Sequence, residues 1–261
     1  MQNQLNISLV QFDIHWENME LNFRKIEELI EADQFDADLI ILPEMFNTGF
    51  TMHPERVASD ETNERVGNWM LALAKKKQAT VAGSMAYHEA GKYYNRLMAV
   101  TPGGLVTHYN KRHLFRMAGE HKKYESGDER VVIEVGKWRI ALFVCYDLRF
   151  PVWSRNLNQY DMAIYVANWP HKRREVWQTL LKARAIENQC YVAGVNRIGK
   201  DPAESYSGHT VLVDFTGREL IKAIDDNETV VSETIQLNDL EKFKTTFPTW
   251  MDADNFIITF E

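Results

Sequence analysis

The 261-residue sequence predicts an α/β fold, a four-layer α-β-β-α sandwich of two mixed sheets with helices outside. Three observations predict it. Apolar strand-like runs alternate with amphipathic helical patterns, several neighbouring runs are joined by tight turns, and there are more strands than one open sheet usually holds. Two sheets packed face to face, with helices on their outer surfaces, is the simplest layering that buries all of these strands.

In the first half of the chain, strands alternate with two helices. Residues 18–32 carry apolar side chains at three- and four-residue steps, which is typical of a helix lying on a sheet. The helix over 64–77 ends in three lysines, which suit the negative end of its dipole. The predicted elements are, in order, strand 7–12, helix 18–32, strand 39–42, helix 64–77 and strands 79–86, 94–101 and 105–110.

In the second half, hairpin turns at Gly136-Lys137 and Thr216-Gly217 separate further strands. The predicted elements are strands 131–135, 138–144 and 162–167, helix 175–188, strands 190–196, 208–214, 219–221 and 229–236, and helix 237–244. We find no Pro/Gly/Ser-rich linker, low-complexity tract or repeat of solenoid period. The sequence therefore predicts one domain over residues 1–261.

Composition excludes several classes of protein. Lys and Arg number 30 against 37 Asp and Glu, a net charge of −7, and no basic stripe for nucleic acid is visible. There is no apolar run of about 18 residues and no charged signal-peptide n-region. Two cysteines, Cys145 and Cys190, make no disulfide framework, and no CxxC, HExxH or phosphate-binding Gly-rich loop occurs. We expect a cytoplasmic protein with reduced thiols and no metal, cofactor, nucleic-acid or membrane partner.

Reactive side chains follow two of the buried strands. Glu44 comes after strand 39–42 and Cys145 directly after strand 138–144, and Lys111 lies between them in the chain. Strand ends deliver side chains into crevices, and a carboxylate, an ammonium and a thiol together supply a base, an oxyanion stabiliser and a nucleophile. These residues predict an acyl-transfer site, in which the backbone N–H of Tyr146 also donates to the oxyanion, as at a nucleophile elbow.

The residues alone leave alternatives open. Arg112 adjoins Lys111, and only one of two strand neighbours can face the site. His113 shares the Lys111 face, so a Cys–His dyad is the main rival. Cys145 could be a small buried hydrophobe, which is what we expect of Cys190. The weaker candidates for a base are His171 and His209.

Three segments resemble the catalytic motifs of the nitrilase superfamily of carbon–nitrogen hydrolases. They are LPEMFNTGF at 42–50, YNKRHLF at 109–115 and CYDLRFP at 145–151, and their order and approximate separation match as well. The resemblance spans essentially the whole chain. It implies the α-β-β-α sandwich, and a homodimer as the usual assembly.

The resemblance also implies residue roles. Glu44 corresponds to the general base, Lys111 to the oxyanion stabiliser and Cys145 to the nucleophile. The superfamily carries a second glutamate between the lysine and the cysteine. Glu120 is the best match for it, and Glu125 is the alternative.

Within the superfamily, the segments 113–117, 149–156, 165–170 and 183–189 resemble the bacterial omega-amidases. These enzymes hydrolyse the distal amide of short dicarboxylate monoamides such as 2-oxoglutaramate and 2-oxosuccinamate. The resemblance implies cleavage of a small anionic amide to the acid and ammonia through a cysteinyl thioester. A nitrilase or an N-carbamoyl amidohydrolase would share the triad and is the alternative, whereas the intact triad argues against a non-catalytic binding protein.

An anionic substrate requires a cation, and a bidentate arginine suits a carboxylate. We expect Arg116 to bind the substrate carboxylate, and Arg149 to be a structural partner of Asp147 or Glu44. The alternatives to Arg116 are Arg173 and Arg174. Pocket walls are predicted for three aromatic residues that could equally be core, Phe46, Phe115 and Trp169.

Overall fold

A computed structural model describes residues 3–259, so the first two and last two residues of the predicted domain lie outside the described part. The strands are β1 Gln4–Gln11, β2 Leu39–Ile41, β3 Thr80–Glu89, β4 Lys92–Val100, β5 Val106–Asn110, β6 Val132–Val135, β7 Trp138–Val144, β8 Met162–Ala167, β9 Tyr191–Asn196, β10 Ile198–Lys200, β11 Ser205–Ser207, β12 Val211–Val213, β13 Glu219–Lys222 and β14 Thr229–Gln236. The helices are α1 Met19–Ala32, α2 Pro54–Val57, α3 Asp60–Lys77, α4 Arg174–Asn188 and α5 Leu237–Thr246.

The strands form two six-stranded mixed sheets and one small hairpin, which confirms the predicted fold class. The first sheet has the order β14-β1-β2-β3-β4-β5 and the second β13-β12-β9-β8-β7-β6. In each sheet three neighbouring strands are parallel, β1, β2 and β3 in one and β7, β8 and β9 in the other. The carboxyl ends of these parallel strands are where a crevice for a ligand is expected.

Apolar side chains of both sheets form one core between them. Leu9 and Tyr109 of the first sheet belong to the same cluster as Phe143 and Ile164 of the second. On the outside, α1 and α3 cover the first sheet, and α4 covers the second through Trp177 and Leu181. These contacts complete the four layers.

Local signals set the helix boundaries. The Asn18 side chain accepts from the Leu21 N–H at the start of α1, close to the predicted boundary. Helix α3 begins four residues earlier than predicted because Ser59 caps it, accepting from the Thr62 N–H.

Two features differ from the predicted elements. The strand expected over 208–214 shrinks to β12, because Gly208 and His209 adopt left-handed φ values of 80° and 63°. Helix α2 and the β10–β11 hairpin were not predicted. Across residues 3–259, no helix has the length and apolarity that a membrane crossing requires.

Candidate active site

Glu44, Lys111 and Glu120 meet in one buried cluster. The Lys111 Nζ lies 2.9 Å from Glu44 Oε1 and 3.0 Å from each carboxylate oxygen of Glu120. All three side chains are fully buried. Glu44 arrives from the loop after β2 and Lys111 from the residue after β5, so the sheet brings together groups far apart in the chain.

Cys145 lies on a sharp turn at the end of β7. Its φ is +45°, a conformation that L side chains rarely adopt, and the residue opens a 3-10 turn over Cys145–Arg149. The buried Asp147 carboxylate holds this turn, since it accepts from the Val144 N–H, the Tyr109 hydroxyl and the His113 N–H. The turn therefore has the form of a nucleophile elbow.

Electrostatics link the thiol to the cluster. Burial raises the pKa of the Cys145 thiol well above its ordinary value, the charge of Glu44 raises it further, and Lys111 opposes both. Burial alone would lower the pKa of Lys111, but the charges of Glu120 and Glu44 outweigh it and raise that pKa. A thiol whose pKa is raised needs a base before it can act as a nucleophile, and Glu44 and Lys111 are charged groups that act on this thiol.

Glu120, rather than Glu125, lies at the site. Besides Lys111, its carboxylate accepts from the Phe115 N–H at 2.5 Å, and burial raises its pKa against the opposing charge of Lys111. Glu125 is exposed, and its Oε2 lies 3.7 Å from the ammonium of Lys92. The geometry thus selects between the two predicted candidates.

A polar relay that we did not predict orients the two carboxylates. The Met45 N–H donates to Ser84 Oγ, and Ser84 donates to Asn95 Oδ1. Asn95 Nδ2 then donates to Glu44 Oε1 at 2.8 Å and to Glu120 Oε1 at 3.1 Å. One sequence feature could have revealed this relay. Ser84 and Asn95 are polar residues inside strand patterns that are otherwise apolar, and buried polar groups need hydrogen-bond partners.

A cavity of about 610 Å³ opens onto Cys145. Phe115 and Trp169 line it, as we predicted, together with the unpredicted Trp16 and Phe50. The Phe50 ring centroid lies 5.1 Å from Lys111 Nζ. Aromatic side chains thus form part of the cavity wall, and Cys145 in the same lining is the link between the cavity and the charged cluster.

Phe46 does not line this cavity, so that prediction was wrong. Phe46 is fully buried and packs with Phe23 and Trp69 under the first sheet. Met45 has a φ of +45°, which breaks the strand alternation and returns the next side chain to the core.

The prediction for Arg116 was also wrong. Arg116 is exposed on a 3-10 turn over Arg116–Ala118 and does not line the cavity, whereas Met117 and Ala118 do. The cavity arginines are Arg56, Arg149 and Arg173. The other alternative, Arg174, pairs with Asp225 at 2.5 Å.

Arg149 is a cavity residue rather than the structural partner that we expected. Its guanidinium carbon lies 5.2 Å from the ring centroid of Trp169. Arg173 lies 5.3 Å from the ring centroid of Phe115, and its carbonyl accepts from Trp169 Nε1. Within residues 3–259, neither guanidinium forms an ion pair, so both are available to a ligand.

The other residues that the sequence offered as a base or a cation do not reach the cavity. His113 Nδ1 lies 2.8 Å from Asp147 Oδ1, and its ring stacks on Phe150 at 3.7 Å. His209 is buried against Gln178, and His171 is exposed. Arg112 donates to the Gly127 carbonyl. None of these side chains lines the cavity, which argues against a Cys–His dyad.

Comparison with known proteins decides the family. Residues 6–245 match the family model described as carbon-nitrogen hydrolase. The chain belongs to the carbon–nitrogen hydrolase family. It is 46% identical over 253 residues to the omega-amidase YafV of Escherichia coli K12, covering 97% of this chain and 98% of the relative. It is 33% identical to the 2-oxoglutaramate amidase of Bacillus subtilis, with 94% and 96% coverage.

Solved structures agree. This hydrolase superposes on a CN-hydrolase superfamily protein from Xanthomonas campestris with a TM-score of 0.94 and 39% identity, covering 99% of this chain and all of the other. That protein carries an arsenic adduct in its active site. The predicted recognition and enzyme class are thereby confirmed, and the protein is an amidohydrolase.

Proposed function

We propose that this amidohydrolase cleaves the distal amide of short dicarboxylate monoamides, of the 2-oxoglutaramate or 2-oxosuccinamate type, to the acid and ammonia. The observation that carries the proposal is the pairing of a thiol, an ammonium and two carboxylates with a cavity that offers unpaired arginines. The omega-amidase and 2-oxoglutaramate amidase names of its relatives support the same substrate class.

Glu44 is the proposed general base. It takes the thiol proton as the Cys145 sulfur attacks the amide carbon, so that no free thiolate accumulates. Lys111 and the backbone N–H of Tyr146 stabilise the oxyanion. Glu44 then gives the proton to the leaving nitrogen, the C–N bond breaks and ammonia departs.

Water completes the cycle. Glu44 removes a proton from water, the hydroxide oxygen bonds to the thioester carbon, and the C–S bond breaks. The sulfur recovers its proton from Glu44. Glu120 and Asn95 are positioning residues in this scheme, because they hold Lys111 and Glu44 in place through the bonds described above.

We assign the far carboxylate of the substrate to Arg173 and Arg149. Both guanidiniums lie over an aromatic ring of the cavity and keep their N–H edges for a carboxylate. Arg173→Met should raise KM for monoamides that bear a carboxylate much more than for neutral amides. The matched control is Arg116→Met. It should leave KM unchanged for both classes of amide, because Arg116 lies outside the cavity.

One substrate panel tests the proposal. Ammonia release is measured for ω-amides, neutral amides, a nitrile and an N-carbamoyl amino acid. The proposal expects the highest kcat/KM for the ω-amides. Faster turnover of the nitrile or the carbamoyl compound would contradict it in favour of the alternative that shares the triad.

We further propose a single-domain cytoplasmic homodimer. Exposed apolar side chains support a partner surface. Val152 and Phe256 line one groove just after the nucleophile turn, and the others are Ile186, Phe247 and Met251. Light scattering coupled to gel filtration should give twice the mass of the 30.4 kDa chain. A monomer at micromolar concentration would contradict the dimer.

A further inference from the structure

Asn168 presents an acceptor that has no donor. It directly follows β8, is 4% exposed and lines the cavity beside Cys145. Its Oδ1 is buried, and among the described residues no donor lies within hydrogen-bond distance. An unpaired buried acceptor is costly, and this one belongs to a residue of the cavity lining, so a ligand donor would satisfy it.

The orientation of this amide is determined by its other contacts. Asn168 Nδ2 donates to the Glu44 carbonyl at 2.6 Å, and a carbonyl can only accept. If the amide were flipped, two acceptors would face each other. Oδ1 must therefore be the atom without a partner.

Asn168 is also rigidly held. Its backbone N–H donates to Glu44 Oε2 at 2.7 Å. The next residue is clamped by Asn196, which accepts from the Trp169 N–H and donates to the Trp169 carbonyl. The acceptor is thus preorganised with respect to Glu44.

The strand register places Asn168 near the sulfur. Val144 of β7 pairs with Val166 of β8 in parallel, and neighbouring strands lie about 4.8 Å apart. Cys145 directly follows Val144, and Asn168 comes two residues after Val166, at the same edge of the sheet. Cys145 and Asn168 also line the same cavity, so a substrate bound there can contact both.

We infer that Asn168 Oδ1 accepts a hydrogen bond from the N–H of the substrate carboxamide and makes the site selective for amides over esters and nitriles. The inference rests on the proposed function. The bond keeps the leaving nitrogen oriented while Glu44 delivers its proton. An ester oxygen or a nitrile nitrogen offers no N–H, so either would leave Oδ1 unpaired, a mismatch that binding sites reject.

The test measures binding rather than turnover. In a turnover assay, any change in how the leaving nitrogen is protonated would also slow amides more than esters, and it could be mistaken for the lost hydrogen bond. In Cys145→Ala protein, calorimetry gives the Kd of a short dicarboxylate monoamide and of the monomethyl ester of the same acid. Adding Asn168→Ala should raise the amide Kd roughly five- to tenfold and the ester Kd less than twofold. Equal weakening of both would overturn the inference and leave Asn168 a structural residue.

A second measurement does not depend on the folding of an Asn168 variant. Cys145→Ala protein with Asn168 intact should bind the amide more tightly than the ester, and equal or tighter ester binding would overturn the inference. Ammonia release by the wild-type enzyme separates the two proposals. An enzyme that hydrolyses ω-amides but fails either binding test refutes only the Asn168 role, whereas one that hydrolyses no ω-amide refutes both.

Discussion

Lys111 supplies one positive charge to two buried carboxylates. If both are ionised, the cluster carries one excess negative charge, which opposes a thiolate at Cys145 and agrees with the raised pKa of that thiol. In the proposed mechanism the nucleophile is therefore generated during attack, and Lys111 stabilises the oxyanion that forms next.

Lys111→Ala is expected to lower turnover by ~100- to 1000-fold or more, because it removes an oxyanion donor and leaves two buried carboxylates unpaired. Ammonia release is the measurement. The control is Arg112→Met, which removes the adjacent cation outside the cavity and should retain turnover. Equal losses in the two variants would remove Lys111 from its role.

Burial raises the pKa of the Glu120 carboxyl, and the hydrogen bond that Asn95 Nδ2 donates to Glu120 opposes this rise. Asn95→Leu should therefore move the acidic limb of the kcat/KM profile to higher pH and reduce kcat. Asn63→Leu is the matched control, since Asn63 bonds only the backbone of His88, away from the cavity. An acidic limb that stays in place in Asn95→Leu, as in the control, would refute the positioning role.

Helix α4 connects sheet packing to the nucleophile turn. A Cβ added at Gly194 of β9 would lie 2.4 Å from Leu181 Cδ1 and 2.8 Å from Trp177 Cζ2, both on α4. The same helix carries Arg184, whose Nη2 donates to the Leu148 carbonyl in the turn after Cys145. Displacing α4 should therefore affect both stability and the turn.

Gly194→Ala should lower the free energy of unfolding by ~1–3 kcal/mol through overpacking, and should also reduce turnover. Gly67→Ala on α3 is the control. A Cβ there meets nothing within 4 Å, so this change should stabilise the protein by about 0.5–1 kcal/mol. Urea unfolding measures both, and a neutral Gly194→Ala would contradict the packing described.

At the level of elements, the sequence could place Glu44 and Cys145 at the ends of buried strands, and these strands belong to the two facing sheets, β2 to the first and β7 to the second. The sequence could not predict which way a side chain points where the backbone is irregular. Met45 breaks the strand alternation that placed Phe46 in the cavity, and a 3-10 turn does the same for Arg116. Asn168 and Asn95 were missed because their roles depend on partners from distant strands.

For the whole molecule, pH dependence of stability follows from His209. Burial lowers its pKa to about 4, so the unfolded chain binds its proton more readily than the folded one. Stability should therefore fall as pH is lowered from about 6.5 toward 4.

His209→Asn should flatten this dependence, and asparagine tolerates the left-handed φ of 63° at this position. The urea midpoint measured between pH 7 and pH 4.5 tests the effect. If wild type and variant keep parallel profiles, a different group is responsible for acid sensitivity.

The sheet layering and the long helices α1, α3 and α4 could be read from the sequence, because they depend on periodicity and turn signals. The choice of Lys111 over Arg112 came from the family resemblance, since spacing alone left both open. The position of Arg149 in the cavity could not be read from the sequence, and Arg173 was named only as an alternative, because the two arginines reach the cavity from turns of different elements. Their availability depends on which neighbouring acids are already paired.

The central claim is that Cys145 forms a covalent acyl bond with the substrate carbonyl. Mass spectrometry of enzyme quenched within its first turnovers of a slow ω-amide tests this directly. The mechanism predicts a mass increase equal to the acyl group on the peptide containing Cys145, and none in Cys145→Ala protein. Ammonia release at the wild-type rate by Cys145→Ala, or an adduct on Cys190 instead, would contradict it.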